Sequence, residues 1–171
     1  MSQQMLEDRM SKPGQKTKTK YIDMIFPPKK QSIFELTIDS PFDIYVHWRR
    51  PAEFCEVDYK QDLHQPAIFY NTIEPTDIRP GLLGDDWFLS AIAILAERPA
   101  LIERLFLTRH VSDVGCYRVK LCKNGEWQIV TVDDFFPCYP KGEPIFAKCK
   151  SNDLWVSILE KAYAKLHGGY F

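Results

Sequence analysis

Apolar and polar positions alternate along the chain at two different periods, and each period marks an element. Phe88, Ala91, Ile92 and Leu95 recur at i, i+3, i+4 and i+7, the repeat of one helical face. The spacing predicts a helix over 86–97, entered through the glycine-punctuated loop Gly81-Leu-Leu-Gly84, with Asp85 or Asp86 as its N-cap. A second amphipathic stretch, 153–166, carries the stripe Leu154, Trp155, Ile158, Leu159, Ala162 and Leu166, with Gly168 where a left-handed C-cap residue belongs. Pro99 suits the first turn of a further helix over 100–106. Trp87 and Trp155 both fall within apolar stripes, so core packing is expected of each.

The period-two stretches read as strands. Gly115 to Leu121 alternates, Asn124-Gly125 is a strong hairpin signal, and Trp127 to Val132 is the return strand. Tyr117, Val119 and Leu121 would face Trp127, Ile129 and Thr131 or their diagonal neighbours, according to register. Residues 33–38 alternate weakly, and 41–46 place Phe42, Ile44 and Val46 on one face of a strand. His47 to Phe54 is expected to turn into a short helix with Pro51 in its first turn. Residues 1–20 are polar and lysine-rich without an apolar period and are expected to be disordered. Tyr21 to Phe26, ended by Pro27-Pro28, is an apolar patch able to dock a loose segment over 21–40.

Composition narrows the class. The 171 residues are 45% hydrophobic and 26% charged, with a formal net charge of −1. That profile fits one soluble globular domain and predicts neither nucleic-acid nor membrane binding. No run of about 18 apolar residues occurs, and the N-terminus carries no signal-peptide core. Cys55, Cys116, Cys122, Cys138 and Cys149 are odd in number and contain no Cys-x-x-Cys pair. Neither a zinc site nor a disulfide framework follows, and a reduced cytoplasmic compartment is expected. Lys12, Lys16, Lys18, Lys20, Lys29 and Lys30 make the N-terminal part basic, either a solvated tail or an arm for an acidic partner surface.

Four ordered segments carry a family resemblance. Trp48-Arg-Arg-Pro-Ala-Glu-Phe54, Pro80-Gly-Leu-Leu-Gly-Asp-Asp-Trp87, Asn124-Gly-Glu-Trp-Gln-Ile-Val-Thr-Val-Asp-Asp-Phe-Phe-Pro137 and Leu154-Trp-Val-Ser-Ile-Leu-Glu-Lys-Ala-Tyr-Ala-Lys-Leu-His-Gly-Gly-Tyr170 resemble the first protease-core lobe of the calpain cysteine proteases. The Leu-Ala-Glu-Arg-Pro run and the Lys-Leu-His-Gly ending look closest to the small-optic-lobe and plant calpain branch. The resemblance covers residues 41–171 and implies an α+β fold, helices around the Asp86 helix with a small antiparallel hairpin sheet.

The same resemblance speaks to chemistry. Its nucleophile segment reads Gln-Gly-x-Leu-Gly-Asp-Cys-Trp, which implies that Asp86 stands at the nucleophile position and Pro80 at the position of the oxyanion-hole glutamine. A thiolate nucleophile needs a base and an orienting group. The family carries its histidine and asparagine in a second lobe, outside these 171 residues, and His47, His64, His110 and His167 match no base position. The family's first lobe also binds calcium, and the resemblance places that site at Asp77 and Asp153. No other cofactor is expected. Asp133-Asp134 is expected to be structural. The reading is a catalytically inactive calpain-like domain acting as a structural or protein-interaction module. Relatives of that kind associate with microtubules, so the resemblance points to cytoskeletal or ciliary partners. The alternative is one lobe of a split or longer calcium-dependent cysteine endopeptidase, completed by a chain that supplies the second lobe.

Overall fold

The computed structural model describes residues 19–33, 46–55, 65–70 and 72–170. The weak strand over 34–38, the strand positions Phe42 and Ile44, and Lys12, Lys16, Lys18 and His64 lie outside these residues. In chain order the elements are β1 (His47–Arg49), α1 (Pro51–Phe54), β2 (Ile78–Arg79), α2 (Asp86–Ala96), α3 (Pro99–Leu105), β3 (Cys116–Lys123), β4 (Glu126–Asp133), β5 (Phe136–Cys138), β6 (Lys148–Cys149) and α4 (Trp155–His167). The strands pair antiparallel as β1–β5, β2–β6 and β3–β4. His47–Arg49 is therefore a strand rather than the approach to α1, because it pairs with Phe136–Cys138 before Pro51 can start a helix.

Asn124 and Gly125 both take positive φ (54° and 81°), as a tight hairpin turn requires. That turn sets the register Tyr117↔Val132, Val119↔Val130 and Leu121↔Gln128. Tyr117, Val119, Val130 and Val132 are buried, and the opposite face carries Trp127 and Ile129 into solvent. Tyr117, Val119 and Leu121 thus do not face Trp127, Ile129 and Thr131, which pair with Cys122, Lys120 and Arg118 on the other face, because the two-residue turn shifts the pairing by one position.

α4 is the most buried element, from Trp155, Val156, Ile158 and Leu159 through Ala162, and Gly168 closes it at φ 107°. Phe88, Leu89, Ile92 and Ala96 of α2, Ile102 of α3 and the inner face of the hairpin complete the main core. Leu89 replaces Ala91 in the expected stripe, and Ala91 is exposed. Trp155 is fully buried, as expected, whereas Trp87 is 61% exposed. Trp87 stands one position from Phe88 and hence about 100° around the helix from the buried stripe, where it meets Tyr163 edge-to-face at 5.4 Å.

A second, smaller core forms where residues 19–33 strap the lobe. Phe26 and Ile33 pack with Ile145, Phe146, Ala164 and Tyr170. Tyr170 donates its N–H to Ser32 O at 3.0 Å, and Tyr21 N–H donates to Val114 O at 2.7 Å. Asp23 is buried and turns its own segment by accepting from Ile25 N–H and Phe26 N–H. Its other oxygen accepts from Lys165 Nζ at 2.5 Å, and its backbone N–H donates to Asp133. Lys161 Nζ, fully buried, donates to Asp133 Oδ1 and to Phe135 O. Arg50 pairs with buried Asp134, lies 4.0 Å over the Phe135 ring and donates to Tyr21 O. Asp133 and Asp134 are therefore the structural pair expected of them. Gly115, at φ 69°, keeps Arg50 and Asp134 together, since a Cβ there would lie 2.4 Å from the Arg50 guanidinium.

Candidate functional site

The loop from Pro80 to Asp85 delivers the N-terminus of α2 to the surface. β2 ends at Arg79, and Pro80 is exposed, with neither an N–H nor a side-chain donor to offer. Gly81 lies against the Phe146 backbone so closely that a Cβ would fall 2.3 Å from a carbonyl carbon, while Gly84 meets nothing within 4 Å. Leu82 N–H donates to Ile145 O at 3.0 Å, which pins the loop to the segment before β6. Asp86 then occupies the first helical position and is exposed. A carboxylate there is stabilised by the positive end of the helix dipole by roughly 0.3–1 kcal/mol.

Asp85 has the N-cap position, but its side chain makes no capping hydrogen bond. It is buried and turns inward, where its carboxyl hydrogen-bonds with that of Glu160 on α4. The sequence pattern could not show this, because a capping aspartate and an inward-turned one read alike until α4 is in place. Glu160 Oε1 accepts from Ala147 N–H at 3.0 Å. Burial pushes Glu160 well above the ordinary carboxyl range and the Asp85 charge adds to this; burial also raises Asp85.

None of the five cysteines stands in for a thiol at α2. Cys116, Cys138 and Cys149 are buried, and Cys55 is half-buried. Burial pushes the Cys55 and Cys138 thiols up to about 12 and Cys116 to about 11, away from nucleophilic thiolates. Cys122 is exposed at the far end of the hairpin, across from Trp127. His47 pairs in β1, His110 is exposed, and His167 stacks on Tyr163 at 4.1 Å, with Nδ1 3.1 Å from Tyr163 O.

Asp77 and Asp153 are near enough for the Asp77 charge to help raise Asp153, whose first cause is burial. Yet their oxygens already serve local structure. Asp153 Oδ1 accepts from Tyr70 N–H at 2.8 Å and Oδ2 from the Ser151 hydroxyl at 3.0 Å; Asp77 Oδ2 accepts from Glu74 N–H at 2.9 Å. Calcium asks for about six to eight oxygens, and among the described residues no group of three or more acids, histidines or cysteines could hold a metal. As arranged, the described oxygens of Asp77 and Asp153 act as turn caps. Of the basic positions, Lys20, Lys29 and Lys30 are exposed on the strap. No helix among the described residues is long and apolar enough to cross a membrane.

Comparison with known proteins bears on what this arrangement is. Residues 21–171 match the family model described as calpain family cysteine protease. The chain is similar to the calpain-type cysteine protease DEK1 of Zea mays, 43% identical over 156 residues, which cover 88% of this chain and 7% of that protein. It is 43% identical over 154 residues to the calpain-type cysteine protease ADL1 of Oryza sativa, with the same two shares. It is 32% identical over 165 residues to Calpain-5 of Caenorhabditis elegans, across 91% of this chain and 23% of that one. The chain thus spans only about 7% of the length of the plant relatives it matches.

Proposed function

The chain belongs to the calpain family of cysteine proteases, and from that premise we propose that this domain keeps the family's fold without its peptide-bond chemistry and serves as a protein-binding module. The observation that carries the reading is Asp86, exposed in the first turn of α2 where the family resemblance puts the nucleophile. A carboxylate is a poor nucleophile toward an amide, and the five cysteines sit elsewhere, with the thiols of Cys55, Cys116, Cys138 and Cys149 raised by burial. Pro80 offers no side-chain donor to a developing oxyanion, a contact that is worth roughly 2.7–4 kcal/mol of barrier where it exists. The reading turns on positions 80 and 86 and holds equally for a longer protein that contains them.

The partner class we infer is an acidic protein surface, with cytoplasmic microtubules the first candidate. Lys20, Lys29 and Lys30 are exposed on the strap and would supply salt-sensitive attraction. Co-sedimentation with stabilised microtubules at low and high salt tests that choice.

The test of the non-catalytic reading is hydrolysis of fluorogenic peptides, with and without calcium, by the 171-residue chain and by any longer protein that includes it. No turnover is expected from either. Cleavage that Asp86→Ala abolishes would overturn the reading and leave the endopeptidase alternative standing.

A further inference from the structure

The strap over 19–33 carries the two most exposed large apolar side chains of the described residues. Met24 is 83% exposed and Ile25 84%, with Ile22 beside them at 47%. The fold holds them there. Asp23, between Ile22 and Met24, is buried against Lys165, and its other oxygen accepts from Ile25 N–H and Phe26 N–H. Phe26 and Ile33 pack into the lobe behind this turn, and Tyr21 N–H is bonded to Val114 O. Ile22 and Met24 therefore point outward on either side of an aspartate held inward. Large apolar side chains clustered at the surface in this way mark a contact site.

The flanks are basic. Lys20 lies two residues before Ile22, Lys29 and Lys30 lie four and five after Ile25, and all three are exposed. The only acid of residues 19–33 is Asp23, which the lobe covers. The loop that receives Tyr21 adds exposed Val111 and one exposed acid, Asp113. The formal net charge of −1, from which no membrane binding is expected, averages over the chain and hides this stretch. A rigid protein surface needs a matching pocket for two outstretched side chains, whereas a bilayer interface opens around them. Lysines at the rim then meet the negative headgroups.

We propose that the strap docks on the surface of an anionic lipid bilayer, with Met24 and Ile25 entering the interface and Lys20, Lys29 and Lys30 lying at the headgroups. The contact is peripheral and reversible. It goes beyond the protein contact proposed above and does not depend on it, since lysines suit any acidic surface without apolar neighbours.

Sedimentation of the whole chain with vesicles of equal parts phosphatidylcholine and phosphatidylserine tests the site, with pure phosphatidylcholine vesicles as control. Half-saturation is expected at about 0.1–1 mM lipid, several-fold weaker at high salt and about tenfold or more weaker on the neutral vesicles. Met24→Ser with Ile25→Ser should weaken binding about tenfold or more and leave the melting temperature unchanged, because both side chains stand in solvent. The single variants give the same answer if the pair disturbs the turn. Lys29→Gln with Lys30→Gln should weaken binding about tenfold. No binding to the anionic vesicles up to about 5 mM lipid, or binding that the serine variants leave unchanged, would overturn the proposal. So would vesicles left unbound while the serine pair reduces co-sedimentation with microtubules, which assigns the patch to a protein contact.

Discussion

Lys161 Nζ lies 2.5 Å from Asp133 Oδ1, and neither side chain has any surface in contact with solvent. Burial pulls the lysine below its ordinary range, and the neighbouring Asp133 charge opposes that pull. Asp133 also accepts from Asp23 N–H and Phe135 N–H, so one carboxylate joins strap, hairpin exit and α4.

Lys161→Met should therefore cost about 3–5 kcal/mol, the usual penalty for stranding one partner of a buried pair. Adding Asp133→Leu should not recover the loss, because two backbone N–H groups then lose their acceptor. Denaturant midpoints of the single and double variants check this, and a rescued double variant would contradict it.

Two glycines of the loop before α2 should part company on substitution. Gly81→Ala pushes a methyl into the Phe146 backbone, which cannot move aside, while Gly84 faces open space. Overpacking of this kind costs about 1–3 kcal/mol. We expect Gly81→Ala to lower the melting temperature by several degrees and Gly84→Ala to leave it nearly unchanged. Equal effects would mean that the tight approach is not what holds the loop.

Glu160 keeps its proton in the fold at pH values where the unfolded chain, with an ordinary value of 4.5, has lost it. Above 4.5 the folded state then binds more protons than the unfolded one, so this group's contribution to stability falls as pH rises. Asp85, Asp134 and Asp153, raised by burial from 3.8, act with the same sign. Glu160→Gln still accepts from Ala147 N–H and can donate to Asp85 but cannot ionise. Its melting temperature should exceed wild type at about pH 8 and vary less between about pH 5 and 8. Superimposable profiles would place the pH dependence elsewhere.

Asp153 caps its turn through two accepted hydrogen bonds. Asp153→Ala should remove acceptors from Tyr70 N–H and the Ser151 hydroxyl and cost about 1–2 kcal/mol. Millimolar calcium should leave the wild-type melting curve unmoved. A calcium-dependent rise that Asp77→Ala removes would show that the turn rearranges into a metal site.

Much of this architecture could be read from apolar spacing. The α4 stripe, its closing Gly168 and the Asn124-Gly125 turn all express local rules that need no partner. Trp87 was legible only as part of a stripe, because one residue of offset from Phe88 decides between core and solvent. The inward turn of Asp85 could not be read at all, since it depends on Glu160 arriving 75 residues later from another helix. The same holds for β1, whose strand character depends on Phe136–Cys138. Resemblance located positions 80 and 86; only packing showed the Asp85–Glu160 contact beside them.

The strap carries a consequence for biosynthesis. Asp23 meets Lys165 across 142 residues, and Ser32 receives the Tyr170 N–H. A nascent chain must therefore carry Asp23 without Lys165, and Phe26 and Ile33 without their packing partners, until α4 has left the ribosome. Such distant pairings make folding slow and late rather than progressive. Translation stalled before Lys165 leaves an unlatched intermediate whose bare apolar strap is a natural target for chaperones.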